Sequence, residues 1–290
     1  MYGEIDPELT YQLVGTLATG DRLDGALTRI SGENVGTRQI ERGSLTILNS
    51  LDVNVEANYN VTYNAANLTI TTRPITVTAD NKSKVYGAVD PALTYQITSG
   101  SLVFSDSFTG NLSRATGENV GTYAIGIGTL SLSVNYNLTF VGANLTITSR
   151  AITIAAEDKT KVYGDPNPGL TYRITSGSLA SGDSFTGSLA VQPGSNVGVY
   201  SILQGTLSIS PNASNYDITF ESGQLTITAR NLTITANAGS KIYGDPDPAL
   251  TYSSSGLVGT DAITGALTRV AGNNVGTYAI QQGTLSAGGN

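Results

Sequence analysis

Along much of the chain, leucine, isoleucine and valine alternate with threonine. The clearest runs are Ile75-Thr76-Val77-Thr78, Leu145-Thr146-Ile147-Thr148 and Leu225-Thr226-Ile227-Thr228. Alternation with period two places the apolar residues on one face of an extended segment, the pattern of a strand with one side buried. The runs are short and bounded by Gly, Asp, Asn and Pro, which favour turns. No stretch carries the 3.6-residue period of an amphipathic helix. The pattern predicts an all-β protein.

The runs recur in a fixed order, so the chain reads as tandem copies of one unit. Each copy opens on Tyr-Gly, at Tyr2, Tyr86-Gly87, Tyr163-Gly164 and Tyr243, spaced 84, 77 and 80 residues apart. An Asp-Pro turn follows, then Leu-Thr-Tyr at Leu9, Leu93, Leu170 and Leu250, predicted to be a strand. A turn headed by Asp21, Asp106, Asp183 or Asp261 comes next. Asn-Val-Gly (Asn34, Asn119-Val120-Gly121, Asn196-Val197-Gly198, Asn274) reads as a turn entering a strand that carries Tyr123 or Tyr200. Gly-Thr-Leu, or Gly-Ser-Leu in the first copy, is predicted to begin a further strand. Asn-Tyr, at Tyr59, Tyr136 and Tyr216, precedes the closing pair.

The boundaries fall at 1–73, 74–150, 151–230 and 231–290. The first copy is out of phase and lacks the opening strand seen at Ile75; the fourth lacks the last two strands. Such end copies are expected to carry unpaired strand edges, which invite end-to-end association. From Asn-Tyr to the next Tyr-Gly the count is 27 residues at every joint. A flexible linker tolerates insertion at little entropic cost, so a constant count predicts a register-locked connection between neighbours. Length varies instead between Asn-Val-Gly and Asn-Tyr, at 24, 16 and 19 residues.

Composition narrows the chemistry. Among 290 residues there is no Cys, His or Trp, which removes disulfides, thiolate nucleophiles, imidazole bases and Cys/His metal sites. The net charge is −7, from 22 acidic and 15 basic residues with no basic block, so nucleic acid is not an expected partner. No apolar run reaches the length of a membrane span, and the N-terminus lacks the basic and apolar regions of a signal peptide. No Ser-x-x-Lys and no repeating acidic pair supports catalysis. The chain is expected to be non-enzymatic and to need no cofactor.

Four candidate sites remain. The 15 tyrosines fall into five columns of the repeat, including Tyr86/Tyr163, Tyr95/Tyr172, Tyr123/Tyr200 and Tyr136/Tyr216. That register favours core and corner packing, with each hydroxyl reaching a backbone partner, over a sugar-stacking surface. Arg38 stands in one column, which reads as dispensable. Oxygen ligands for calcium are available from Asp80 and Asn81, and from Glu157 and Asp158, but the third joint reads Asn237-Ala238-Gly239-Ser240 with no carboxylate, which favours solvated turn acids. Lys84, Lys161 and Lys241 recur beside Tyr-Gly and raise an intramolecular isopeptide bond to Asn. Gln224 stands where other copies have Asn67 and Asn144, and a snorkelling lysine is the commoner arrangement. The loop Leu51-Asp52-Val53-Asn54-Val55, where length varies, is the place to look for binding.

The order Ile-Thr-Val-Thr-Ala, Lys-Val-Tyr-Gly, Asp-Pro, Leu-Thr-Tyr, Gly-Glu-Asn-Val-Gly-Thr-Tyr, Gly-Thr-Leu, Asn-Tyr, Leu-Thr-Ile-Thr resembles the MBG domain of the YGX type. The resemblance covers essentially the whole chain. It implies tandem domains of a large bacterial surface protein such as a filamentous-haemagglutinin-like adhesin: extracellular, with no cofactor or catalytic residue to carry over. The expected architecture is an elongated rod of small β-sandwich-like domains, with about six strands each; β-grasp-like domains are the alternative. The expected function is a stalk that projects a distal binding region, its partners being neighbouring repeats. The competing reading is that the repeats themselves bind host glycans or matrix proteins, each weakly, with avidity from repetition.

Overall fold

A computed structural model describes residues 1–288 of the chain. Two single-turn 3-10 helices, Glu56–Asn58 and Ala213–Asn215, are the only helices among the described residues; the regular structure is otherwise β. Contacts group the chain into two compact units, Met1–Thr148 and Ser149–Asn290, each holding two copies of the repeat.

The first copy contributes β1 (Arg22–Asp24), β2 (Thr28–Arg29), β3 (Gly36–Glu41), β4 (Thr46–Leu48) and β5 (Asn67–Ile70). The second contributes β6 (Arg73–Ala79), β7 (Lys82–Val85), β8 (Tyr95–Ser99), β9 (Ser113–Arg114), β10 (Gly121–Gly126), β11 (Tyr136–Val141) and β12 (Ala143–Thr148). In the third are β13 (Arg150–Ala156), β14 (Lys159–Val162), β15 (Tyr172–Ser176), β16 (Ser184–Thr186), β17 (Ala190–Val191), β18 (Gly198–Leu203), β19 (Ser208–Ser210), β20 (Tyr216–Glu221) and β21 (Gly223–Thr228). The fourth holds β22 (Thr233–Ala236), β23 (Tyr252–Ser255), β24 (Ile263–Thr264), β25 (Thr268–Arg269), β26 (Ile280–Gln281) and β27 (Ser286–Ala287).

The second copy shows the arrangement. One sheet has the order β11-β6-β8 and the other β7-β12-β10-β9. The opening pair β6–β7 and the closing pair β11–β12 each cross from one sheet to the other. They lie alongside one another, so β6 pairs parallel with β11 and β7 parallel with β12. Parallel pairing needs a long crossover, which the residues between β7 and β11 supply. The third copy repeats this with β20-β13-β15 and β14-β21-β18-β17, and adds a small β16-β19 sheet.

Alternation sets the faces. In β12, Leu145 and Ile147 are buried while Asn144, Thr146 and Thr148 are exposed. Ala79, Ile125 and Leu145 from the two sheets meet in one core, flanked by Tyr123, Phe140 and Ala143. Burying each such Leu or Ile side chain stabilises by about 1.5–3 kcal/mol.

Three expectations need correction. The second copy holds seven strands and the third nine, against about six expected, the additional ones being strands of two or three residues such as β9, β16, β17 and β19. Gly-Thr-Leu is a turn rather than a strand start: Gly43, Gly128, Gly205 and Gly283 all have φ near +60°, and in the third copy the strand begins only at Ser208.

The third correction concerns Leu9-Thr10-Tyr11. Residues 11–15 and 59–64 of the first copy form no strand, although their counterparts are β8 and β11. In the second copy each of those strands pairs only with β6, and within these 290 residues the first copy has no counterpart of β6. The fourth copy follows the same rule. Residues 239–242 and 276–279, counterparts of β14 and the start of β18, lie outside strands; in the third copy both pair with β21. Apolar alternation alone does not hold a strand whose ladder partner is elsewhere.

Candidate functional site: the joint between repeats

Only Thr71 and Thr72 separate β5 of the first copy from β6 of the second, so the joint is a near-continuous strand crossing. Around it Tyr2 and Ile70 of the first copy pack with Ile75 and Tyr136 of the second in a shared apolar cluster. The rings of Tyr2 and Tyr136 meet edge to face at 5.5 Å.

Both tyrosines converge on one carboxylate. The Tyr2 hydroxyl donates to Asp106 Oδ2 at 2.9 Å, and the Tyr136 hydroxyl donates to the same oxygen at 2.8 Å. The Tyr136 hydroxyl in turn accepts the Val103 N–H at 2.9 Å. Burial, and next the Asp106 carboxylate, pushes the Tyr2 phenol above its ordinary value. Burial does the same for Tyr136, so both remain neutral donors.

A second lock lies beside the first. The buried Asn135 accepts the Val35 N–H through Oδ1 and donates through Nδ2 to Asn34 Oδ1, each at 3.0 Å. Arg73 adds a bond from Nη1 to the Tyr2 carbonyl at 3.1 Å and one from Nε to the Ser101 carbonyl at 3.1 Å. The Tyr-Gly and Asn-Val-Gly segments of one copy are thus bound by the Asp turn and Asn-Tyr of the next.

The parts recur. Tyr59 donates to Asp21 at 2.6 Å and Tyr216 to Asp183 at 2.7 Å, accepting the Ala18 and Ala180 N–H respectively. Between the third and fourth copies Tyr163 donates to Asp261 at 3.2 Å, and Arg230 bonds the Tyr163 carbonyl and Asp165. Glycine after the tyrosine is required twice over. Gly3 and Gly164 have φ of +77° and +85°, and a Cβ on either would lie 2.5 Å from Val103 or Val258 of the following copy.

A charged cluster sits behind the Tyr-Gly step. The buried Lys84 ammonium lies 2.6 Å from Asp90 Oδ1 and 2.5 Å from Glu118 Oε2. Arg114 bonds Asp90 at 2.6 Å and also pairs with Glu118. Arg114 and then Lys84 hold the Asp90 carboxyl down at about 2, and Lys84 and then Arg114 lower Glu118. The first copy keeps Asp6, Arg29 and Glu33, and the fourth keeps Lys241, Asp247 and Arg269. In the third copy Asn167, Val191 and Ser195 replace the acid, the arginine and the second acid together.

Both folded carboxyl values in the second copy lie below the unfolded value of about 4. Their contribution is therefore present above that value and lost as pH falls through the folded one. Asp90→Asn is expected to flatten the loss of thermal stability between roughly pH 5 and 2, measured as Tm against pH. A profile as steep as the unsubstituted chain's would contradict the assignment.

The other sequence-singled residues serve turns and the core. Tyr123 and Tyr200 donate to the carbonyls of Asn119 and Asn196 at 2.8 and 2.9 Å. Arg38 keeps that bond, donating from Nη2 to the Asn34 carbonyl at 3.0 Å, so a different side chain performs the same task. Tyr95 and Tyr172 stand edge-on to Phe108 and Phe185. Tyr86 is buried and Gly87 has positive φ; Gly121 and Gly198 open β10 and β18.

In the variable loop Asn49 Oδ1 accepts the N–H of Leu51 and Val53, Asn54 bridges to Leu48, and Arg22 pairs with Asp52. Leu51 and Val53 face solvent at 79% and 55%, and Val55 is half-buried.

The proposed calcium ligands have protein partners. Asn81 and Asp158 accept the N–H of Asn144 and Gln224 at 2.9 and 2.7 Å, tying each opening pair to its closing pair. Among the described residues no group of three or more Asp or Glu is placed to hold a metal, and no helix is long and apolar enough to cross a membrane. Lys84 faces carboxylates rather than the asparagine that the crosslink reading required.

Sequence reading missed the role of Asp106. The signal was an acid in the same column of all four copies, at Asp21, Asp106, Asp183 and Asp261.

Comparison with known families agrees with this anatomy. A family model described as MBG domain (YGX type) matches residues 1–69, 75–146, 152–226 and 232–290. A search of curated proteins finds no match. The matched segments cover nearly the whole chain and begin or end within a few residues of the joints described above. The chain belongs to the MBG domain family of the YGX type and carries four tandem copies of that domain.

Proposed function

We propose that this chain is a non-catalytic structural section of a large secreted bacterial surface adhesin, a spacer that sets the position of a distal binding region outside the cell. The observation that carries the reading is the joint. The most regular side chains of the repeat, Tyr2, Asp106, Asn135 and Tyr136, are spent on holding one copy against the next. A binding repeat would instead present a constant set of exposed side chains, and the loops that vary in length also vary in sequence.

One observation favours a second reading, in which the repeats bind host glycans or matrix proteins. Leu51 and Val53 are exposed on a loop ordered by its own hydrogen bonds. The test is binding of the chain to an array of host glycans and matrix proteins, with and without calcium. The expected result is no saturable binding. Saturable binding abolished by Leu51→Asp with Val53→Asp would overturn the spacer reading and make that loop a site.

A further inference from the structure

An edge strand offers a row of unpaired N–H and C=O groups to any other strand, and short length, bulges or charged side chains protect it. In the two complete copies nearly every edge of the three- and four-stranded sheets has such protection. β9 and β17 are two residues long. β7 carries Lys82 and Lys84, and β14 carries Lys159 and Lys161. β8 and β15 are bulged, with Thr98 and Thr175 set extra against β6 and β13. β20 presents Asp217 and Glu221 to solvent. β11 has none of these devices. It runs six residues with no proline, no charge and no break in its ladder to β6. Among the described residues, no hydrogen bond reaches the backbone of residues 137–141 from any element but β6. Leu138 and Phe140 are only half-buried, whereas Ile75 and Val77 opposite them are fully buried. This edge belongs to a complete copy that has a neighbour on each side in the chain, so its opening is a property of the copy itself.

We propose that β11 is a lateral self-association edge, which pairs antiparallel with β11 of a second molecule of this chain and joins two three-stranded sheets into one of six strands. The occupant follows from the residues in register. Pairing centred on Thr139 sets that residue against its own counterpart, Asn137 against Val141, and Leu138 against Phe140. No charges meet, and the two Leu–Phe pairs cover the half-buried flank of each core. The same register on β20 would set Asp217 against Glu221 twice, like charges directly opposite, which opposes pairing. The third copy thus carries a block where the second carries a match. Each β11 meets the same surface on the other molecule, so the contact is isologous and closes as a two-fold dimer. A single strand pair bears the full loss of translational and rotational freedom, which makes the dimer weak and reversible. The inference goes beyond the spacer reading and does not depend on it. Glycan binding by the repeats would defeat that reading alone, and a strictly monomeric chain would defeat this proposal alone.

The test is sedimentation velocity of the full chain from about 10 μM to 1 mM, a range suited to weak association. A reversible monomer–dimer equilibrium with nothing larger is expected, and amide exchange at residues 137–141 should slow as the concentration rises. Asn137→Asp with Val141→Glu gives β11 the acids that β20 already carries in a folded strand, and should weaken the dimer about tenfold or more. Asn137→Lys with Val141→Lys should weaken it likewise. The deciding arm mixes the two double variants. Acids then stand opposite lysines in the same register, so a one-to-one dimer returns. A monomer throughout the range, species larger than a dimer, a dimer indifferent to the acidic pair, exchange at 137–141 that ignores concentration, or a mixture that stays monomeric would each overturn the proposal.

Discussion

Replacing Val77 with proline is expected to dismantle one sheet of the second copy and cost it at least about 3 kcal/mol, the scale of proline inside a hydrogen-bonded element. Val77 is fully buried at the centre of β6, opposite Phe140 on one side and Ile97 on the other. Proline removes the N–H and distorts the strand that both neighbours need. The first copy shows what those neighbours do alone: residues 11–15 and 59–64 keep their apolar alternation and form no strand. Hydrogen exchange should therefore show protection lost at Tyr95–Ser99 and Tyr136–Val141 together, while β18 and β21 of the third copy stay protected. Retained protection in either segment would mean that β6 is not the common support.

Asp106→Ala should loosen the first joint by about 3 kcal/mol, because hydrogen bonds to a charged acceptor are each worth about 1.5–3 kcal/mol and two are lost. The substitution leaves the buried hydroxyls of Tyr2 and Tyr136 without their acceptor. Asp106→Asn keeps an acceptor oxygen and should recover roughly half of the loss. Urea unfolding of the full chain, followed by exchange at Tyr2 and Val103, reads the effect. Full recovery by asparagine would show that the charge of Asp106 contributes nothing, and equal losses for the two variants would show that a neutral oxygen cannot replace it.

Much of this was legible from residue order. The Leu-Thr-Ile-Thr runs predicted the closing strands and their buried face, and the constant interval from Tyr59 to Tyr86 predicted a locked joint. What alternation does not encode is the partner. A parallel and an antiparallel neighbour impose the same period of two, so nothing in Ile75-Thr76-Val77-Thr78 showed that β6 would lie parallel to β11. Leu9-Thr10-Tyr11 carries a strand pattern and lacks a strand for the same reason. Asp106 was hidden by its chemistry, since an acid in a Gly- and Ser-rich turn is usually solvated. Its role emerges only when two tyrosines 104 and 30 residues away are brought to one oxygen.

The parallel pairing has a consequence for tension. A pull on the two ends of the second copy draws β6 and β12 in opposite directions along their own axes. Each is paired parallel to a strand of the other pair, β6 with β11 and β12 with β7. Force then slides each ladder lengthwise and loads its evenly spaced bonds simultaneously, whereas a hairpin pulled at its open end breaks them one by one. A repeat connected in this way resists stretching by shear, and its yield is set by whole ladders rather than by the weakest terminal bond.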